Sequence, residues 1–392
     1  MQVAGIICEY NPFHTGHKWQ LAELRRRGAE AIVCAMSGNF TQRGDFAIVR
    51  KHARAEAAVR GGADLVLELP LPWATASAET FAQGGVEVLA ATGVVDTLAF
   101  GSECADTAQI IRVANALCSD DFAAVLKAEL AKGDSFAAAR QRAAETLCGG
   151  DAAILAQPND ILGIEYGKAL RGTALAPLAL PRVGAMHDGE PMGDYAPASY
   201  IREHIDYGVE RYLTPDMLRL YNEEDAAGRA PVLMATAERA VLARLRTMTE
   251  GEFAVYDEGS EGLFHRFYDA SRTAAGVGQL LDMVKTKRYA HARLRRMLLA
   301  TYLGVKPEDR RPQVPYIRVL AMNDKGKSLL RKMRETATLP VLVKPADVRE
   351  LSASGQRLMD MEARATNLYA LAYPDLRQSE GGGEWKTGPV IV

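Results

Sequence analysis

Along the first 180 or so residues, short apolar runs rich in β-branched side chains alternate with stretches whose apolar positions recur at helical spacing. The runs Val3–Cys8, 31–35, Leu65–Leu69 and 97–100 are too short for helices and predict strands buried on both faces. Between them the spacing predicts helices over 16–27, 49–60 and Ala78–Ala91, with Gly28, Gly61-Gly62 and Gly93 placed as stops. Strand and helix in strict alternation indicate an α/β fold, a doubly wound parallel sheet of Rossmann-like type. The alanine-dense piece 107–148 has no strand signal and reads as a helical insertion, about residues 105–150, packed beside that sheet.

Past Pro181 the pattern changes. Residues 182–200 are rich in Gly, Pro and Asp and predict a long loop before a helix that starts near Ser199. Helical spacing then predicts helices over 230–248, 263–270, 278–284 and 290–303. A strand at 316–322, a helix through Lys332 and a strand at 339–343 predict a βαβ unit in a second, mostly helical α+β domain. The expected division is 1–205, 206–378 and a flexible, frayed tail, 379–392, which opens with Gly381-Gly382-Gly383.

Composition narrows the class without changing it. A chain of 392 residues, 48% hydrophobic and 24% charged, is ordinary for a soluble protein of two or three domains. No run approaches a membrane span and no signal peptide opens the chain, so a cytoplasmic location is expected, with no membrane partner. Cys8, Cys34, Cys104, Cys118 and Cys148 are odd in number and widely spaced, which fits neither a zinc site nor a disulfide framework; no metal-ligand set is expected. With a net charge of -2, any nucleic-acid binding must come from a local basic face.

The densest chemistry is Glu9-Tyr10-Asn11-Pro12-Phe13-His14-Thr15-Gly16-His17, which joins the first strand directly to the first helix. A helix start after a buried parallel strand offers free N–H groups and a positive dipole end to an anion. His14 and His17, one turn apart, can face the same phosphate, and Gly16 leaves room for a nucleotide. The alternative is that the two histidines merely cap the helix. The His-x-Gly-His spacing resembles the signature of the nucleotidylyltransferase superfamily.

Other candidates each carry two readings. Ser37 to Gly44 follows the second strand and is either an anion site or a glycine-rich turn, with Arg43 and Lys51 as carboxylate or phosphate partners or surface charges. Gly101 is either a bare backbone against a nucleoside or a helix-entry glycine, with Ser102 as N-cap. Pro158-Asn159-Asp160 is explained by helix capping alone. Ser199 and Arg202 offer a hydroxyl and a cation suited to a leaving pyrophosphate, or a cap and an exposed charge. Lys285, Lys287, Arg288, His291, Arg293, Arg295 and Arg296 form a basic run with almost no acids nearby, a nucleic-acid face or a solvated helix surface.

Taken together, the chain resembles the bacterial tRNA(Met) cytidine acetate ligase family. The resemblance rests on Cys8 to His17, Met36 to Gly44, Gly62 to Pro70 and Phe100-Gly101-Ser102-Glu103. It continues through Pro158 to Gly163, Lys285 to Tyr289 and Pro315 to Leu320. It implies a ligase that activates acetate with ATP, with Mg2+, and acetylates the wobble cytidine of elongator tRNA(Met) at N4. It also implies that ATP lies along Ile7, Cys8, Glu9, Tyr10, Asn11, Pro12, Phe13, His14, Thr15, Gly16, His17, Lys18, Trp19 and Gln20, completed by Gly101, Asn159 and Arg182. Ser199 to Arg202 resembles the superfamily's second phosphate motif, although Pro197 and Ala198 depart from it. His14, His17 and Arg202 would be catalytic, and Lys285, Lys287, Arg288 and Arg295 would bind tRNA.

Overall fold

The apolar runs line up at the centre of one sheet. The computed structural model describes residues 2–133, 135–183, 190–258, 262–286, 289–310 and 313–392. The strands, in chain order, are β1 (Val3–Cys8), β2 (Ala31–Ser37), β3 (Phe40–Thr41), β4 (Asp45–Phe46), β5 (Leu65–Leu69), β6 (Thr97–Ser102), β7 (Ala176–Pro181), β8 (Ile317–Met322), β9 (Val341–Leu342) and β10 (Val390–Ile391). The main sheet runs β10-β8-β5-β2-β1-β6-β7, with β9 paired to β8. From β5 to β7 every pairing is parallel, and the strand order reverses at β1. That reversal opens a crevice at the carboxyl ends of β1 and β6, where an open α/β sheet takes its ligand.

The first helices form where expected: Thr15–Arg26, Lys51–Arg60 and Ala78–Ala91. The insertion is three helices, Thr107–Leu117, Asp120–Leu130 and Phe136–Cys148. β7 was not expected. Its sequence, APLALP, has no β-branched residue and two prolines, which a strand tolerates at a sheet edge, and β7 is an edge. Helices Pro215–Ala226 and Ala353–Ala370 add to those the spacing predicts.

Two expectations about the C-terminal half need correction. The βαβ unit exists, because β8 and β9 pair in parallel around the helix Asp324–Thr336, but it is not part of a separate sheet. β8 lies antiparallel to β5, with Glu68 opposite Arg318, and so extends the N-terminal sheet. The tail is not frayed either. β10 pairs with β8, the short helix Gly383–Lys386 precedes it, and Glu384 is buried. The glycines that suggested fraying instead bring a carboxylate into the interior. Its role is to meet two buried cations: Lys51 Nζ lies 2.6 Å from Glu68 and 2.5 Å from Glu384, and Arg318 pairs with the same two carboxylates. Of the readings open to Lys51, the carboxylate partner is therefore the one that holds, not the phosphate partner or the surface charge.

Candidate active site

The motif loop is built on a buried aromatic floor. Tyr10 and Phe13 are sealed in the core, with ring centroids 4.9 Å apart, and Tyr10 lies 4.7 Å beneath the His17 ring. Phe13 sits so close to Gly61 that a Cβ there would come within 2.4 Å of its ring. Asn11 is also buried and its side-chain oxygen accepts the Ile48 N–H at 2.8 Å. These residues shape the loop from below, while His14, Thr15, Gly16 and His17 are half-buried and Lys18 is exposed. Ile7 is buried, and Cys8, Glu9, Trp19 and Gln20 are half-buried around the same loop.

His14 and His17 cap the first helix reciprocally. His14 Nδ1 accepts the Gly16 N–H at 3.1 Å, and His17 Nδ1 accepts the His14 N–H at 3.3 Å. A nitrogen that accepts a hydrogen bond carries no proton, so both rings are neutral Nε2–H tautomers. Burial, then the charges of Arg182 and Arg202, lowers His14 to about 3; burial, then His14 and Arg182, puts His17 well below its ordinary value. The rings stack at 3.7 Å, and among the described residues neither Nε2 has a protein partner. Capping and ligand binding were alternatives in the sequence, but the geometry makes them compatible: capping takes the Nδ1 atoms and leaves two Nε2–H donors. Gly16 serves this arrangement, since a Cβ there would lie 3.0 Å from the His14 ring.

Arg202 reaches the loop from 191 residues away, donating from Nη1 to the Asn11 carbonyl at 2.8 Å. It sits on the helix Ala198–Glu203, whose N-cap is Pro197 with no side-chain cap bond. Ser199 is therefore not the cap of that helix. Thr15 Oγ1 donates to the Asp194 carbonyl at 2.7 Å, and His14 bridges to Leu213, so the chain is fastened to the motif both before and after Arg202.

Gly101 and Arg182 are neighbours at the ends of β6 and β7, where the Arg182 N–H donates to the Ser102 carbonyl at 3.3 Å. A Cβ on Gly101 would lie 3.4 Å from the Arg182 side chain. Asn159 is not the cap, because Gln157 holds that position without a side-chain bond, while Asp160 is the expected acid of the first turn and does more than face the helix dipole. Asp160 accepts from the Ser102 hydroxyl and from the N–H groups of Glu103 and Cys104. Glu103 in turn accepts from the Asn159 side chain and the Asp160 N–H. The two carboxylates lock the β6 tip to the start of the helix Pro158–Ala169, a link that spacing in the sequence does not reveal.

The β2 loop belongs to the same site. β3 and β4 form a hairpin whose Gln42 N–H donates to Glu9 at 2.7 Å. Arg54, fully buried, donates to the carbonyls of Val49, Glu9, Ser37 and Gly38, so one guanidinium ties the β1 and β2 tips together. No sequence signal marked this arginine.

The expected tRNA-binding residues are only partly brought together. Lys285 is exposed and donates to the Tyr289 carbonyl at 2.5 Å. Lys287 and Arg288 lie outside the described residues. Arg295, on the helix His291–Leu303, is not remote from the phosphate motifs as its distance in sequence suggests, because it pairs with Asp45 beside the turn of the hairpin. Among the described residues no group of three or more His, Cys, Asp or Glu could hold a metal ion, and no helix is long and apolar enough to cross a membrane.

Comparison with known proteins agrees with this geometry. Residues 1–383 match the family described as HIGH Nucleotidyl Transferase. The chain is 35% identical to the tRNA(Met) cytidine acetate ligase of Acetivibrio thermocellus, covering all of both proteins. Its identity to the same-named protein of Caldanaerobacter subterraneus subsp. tengcongensis is also 35%, over 97% of this chain and 98% of that one. Among solved structures it is similar to Thermotoga maritima TmcAL bound with alpha-thio ATP, with a TM-score of 0.94, 33% identity and coverage of 100% and 99%. The apo form of that protein gives a TM-score of 0.95 with full coverage of both chains. A nucleotide crevice with two neutral histidine donors and these relatives along the whole chain lead to one conclusion: the chain belongs to the HIGH nucleotidyl transferase family and, within it, to the tRNA(Met) cytidine acetate ligases.

Proposed function

We infer that this protein is an ATP-dependent ligase that joins acetate to a cytidine of tRNA(Met), through an acetyl-adenylate and at N4 of the wobble base of the elongator species. The observation that carries the reading is the pair of Nε2–H donors above the helix start, with Arg202 held against the same loop. An acetate oxygen attacks the α-phosphorus in line and pyrophosphate leaves. His14, His17 and the amides of the first helix stabilise charge on the phosphoryl oxygens, and Arg202 attracts the departing pyrophosphate. Because the cap occupies the Nδ1 atoms, each neutral imidazole presents its Nε2–H to the phosphoryl oxygens. Mg2+ would supply further charge neutralisation at the phosphates.

The acetyl-adenylate is a mixed anhydride. The exocyclic amine of an unstacked cytidine attacks its carbonyl carbon, the bond to AMP breaks, and N4-acetylcytidine forms. Residues 206–378 would grip tRNA phosphates, with Lys285, Lys287 and Arg288 as the expected contacts. A tRNA substrate fits a cytoplasmic location. Acetate-dependent exchange of labelled pyrophosphate into ATP tests the first step without tRNA, and mass spectrometry of tRNA from cells lacking the protein tests the second. Exchange supported by another small acceptor, with no effect of tRNA, would replace this reading with a metabolic adenylyltransferase.

A further inference from the structure

The hairpin β3–β4 stands between the two halves of the chain. On one side its Gln42 N–H holds Glu9, which borders the motif loop. On the other it is enclosed by residues from the C-terminal half. Phe40 and Phe46 pack on Tyr369, Phe46 also meets Tyr302, and the Tyr369 hydroxyl donates to the Ala47 carbonyl at 2.7 Å. At the turn, Gly44 has φ +76 and lies flat on the helix His291–Leu303, where a Cβ would come within 2.5 Å of the backbone of Arg295 and Arg296. This contact holds the Arg295 side chain at the hairpin, where it pairs with Asp45.

Two features of Arg295 point to an anion. Its Nε is buried and has no hydrogen-bond partner, a state that costs about 1–3 kcal/mol until an acceptor arrives. Its charge also reaches Arg202: burial lowers the Arg202 pKa, and Arg43 and Arg295 lower it further, while Glu9 and Asp45 oppose them. Arg202 and Arg295 are thus close enough to repel one another, a repulsion that a shared anion would relieve. We propose that Arg295 is a pyrophosphate-binding residue that the C-terminal half supplies to the active site, exchanging Asp45 for phosphate oxygens when ATP is bound. The proposal rests on the ligase reading above. It gives this arginine a role in the first step, where a tRNA-gripping helix would give it a role only in the second.

The test is acetate-dependent exchange of labelled pyrophosphate into ATP by the full chain, comparing Arg295→Ala, Arg295→Lys and Asp45→Asn. Arg295→Ala is expected to raise the KM for pyrophosphate by about 10- to 100-fold, the loss of a charge-assisted bond, with Arg295→Lys recovering part of it. Asp45→Asn is expected to lower the same KM, since it removes the competing carboxylate. Equal rises in Arg295→Ala and Asp45→Asn overturn the proposal, because they mark an ion pair that only holds the hairpin. It is also overturned if Arg295→Ala leaves the KM unchanged and instead flattens the salt dependence of tRNA affinity, which assigns the arginine to a tRNA phosphate. Failure of the wild-type protein to show acetate-dependent exchange removes the ligase reading itself, an outcome separate from a normal exchange that Arg295→Ala does not alter.

Discussion

The motif loop, which follows β1, and the buried charge cluster, which joins β5, β8 and the C-terminal tail, treat charge in opposite ways. In the cluster, Lys51 and Arg318 face Glu68 and Glu384, so every cation meets a carboxylate and all four are almost wholly buried. Lys51 also fastens the β2 loop, its N–H donating to Asn39 Oδ1 at 2.9 Å. In the loop, by contrast, His14 and His17 spend one nitrogen on the cap and leave the other without a protein partner among the described residues. Both regions are dense in ionisable groups; only one has donors to spare. The comparison teaches that a site is recognised by what the protein leaves unsatisfied, since completed pairs are structural.

The largest effect is expected from breaking the cluster. Glu384→Ala leaves two buried cations sharing one full carboxylate partner and should destabilise the fold by about 3–5 kcal/mol, read from urea unfolding. A loss below about 1 kcal/mol would mean that the tail is only loosely docked. In the loop the corresponding cost falls on the reaction. His17→Ala should slow adenylate formation by a factor on the order of 10² to 10³, from about 3 to 4 kcal/mol of lost charge stabilisation. Its effect on stability should be about 1 kcal/mol, the value of a helix cap. Unchanged pyrophosphate exchange would return His17 to a purely capping role.

Glu362 sharpens the contrast within the cluster. Its carboxylate accepts the Leu71 N–H at 2.6 Å, and burial together with the charge of Glu68 raises it to about 7. A folded-state value above the unfolded 4.5 means that the folded chain keeps a proton the unfolded chain has lost. Its own contribution to stability should therefore fall as pH rises from about 4.5 to 7, by on the order of 3 kcal/mol. Glu362→Gln should remove that slope from unfolding free energies measured across the range.

The histidines, whose shift has the opposite sense, are read by titration rather than by unfolding. Lowered folded-state values leave the unfolded chain binding more protons below 6.5, so their contribution to stability is full above 6.5 and declines as pH falls towards 3. In the free protein their ring ¹⁵N resonances should show the neutral Nε2–H tautomer with no titration between pH 5 and 8. A midpoint near 6.5 would dissolve the capped, neutral arrangement.

What the sequence determined by itself is local. Short buried runs made β1, β2, β5 and β6 readable, because period and length alone separate a core strand from a helix. The motif that follows β1 could be placed at the carboxyl edge for the same reason, and the family was legible in the order of its short motifs. The tertiary structure decided which charges remain available. Lys51 and Arg295 are both basic residues near loops, but one is sealed against Glu68 and Glu384 and the other is delivered to Asp45 by a helix from the far half of the chain. Arg54 and Asp160 gain their roles from carbonyls and amides that lie distant in sequence. β8 and β10 join the first sheet because β5 presents a free edge that backbone hydrogen bonding must satisfy, and a strand's own side chains do not specify which edge it will meet.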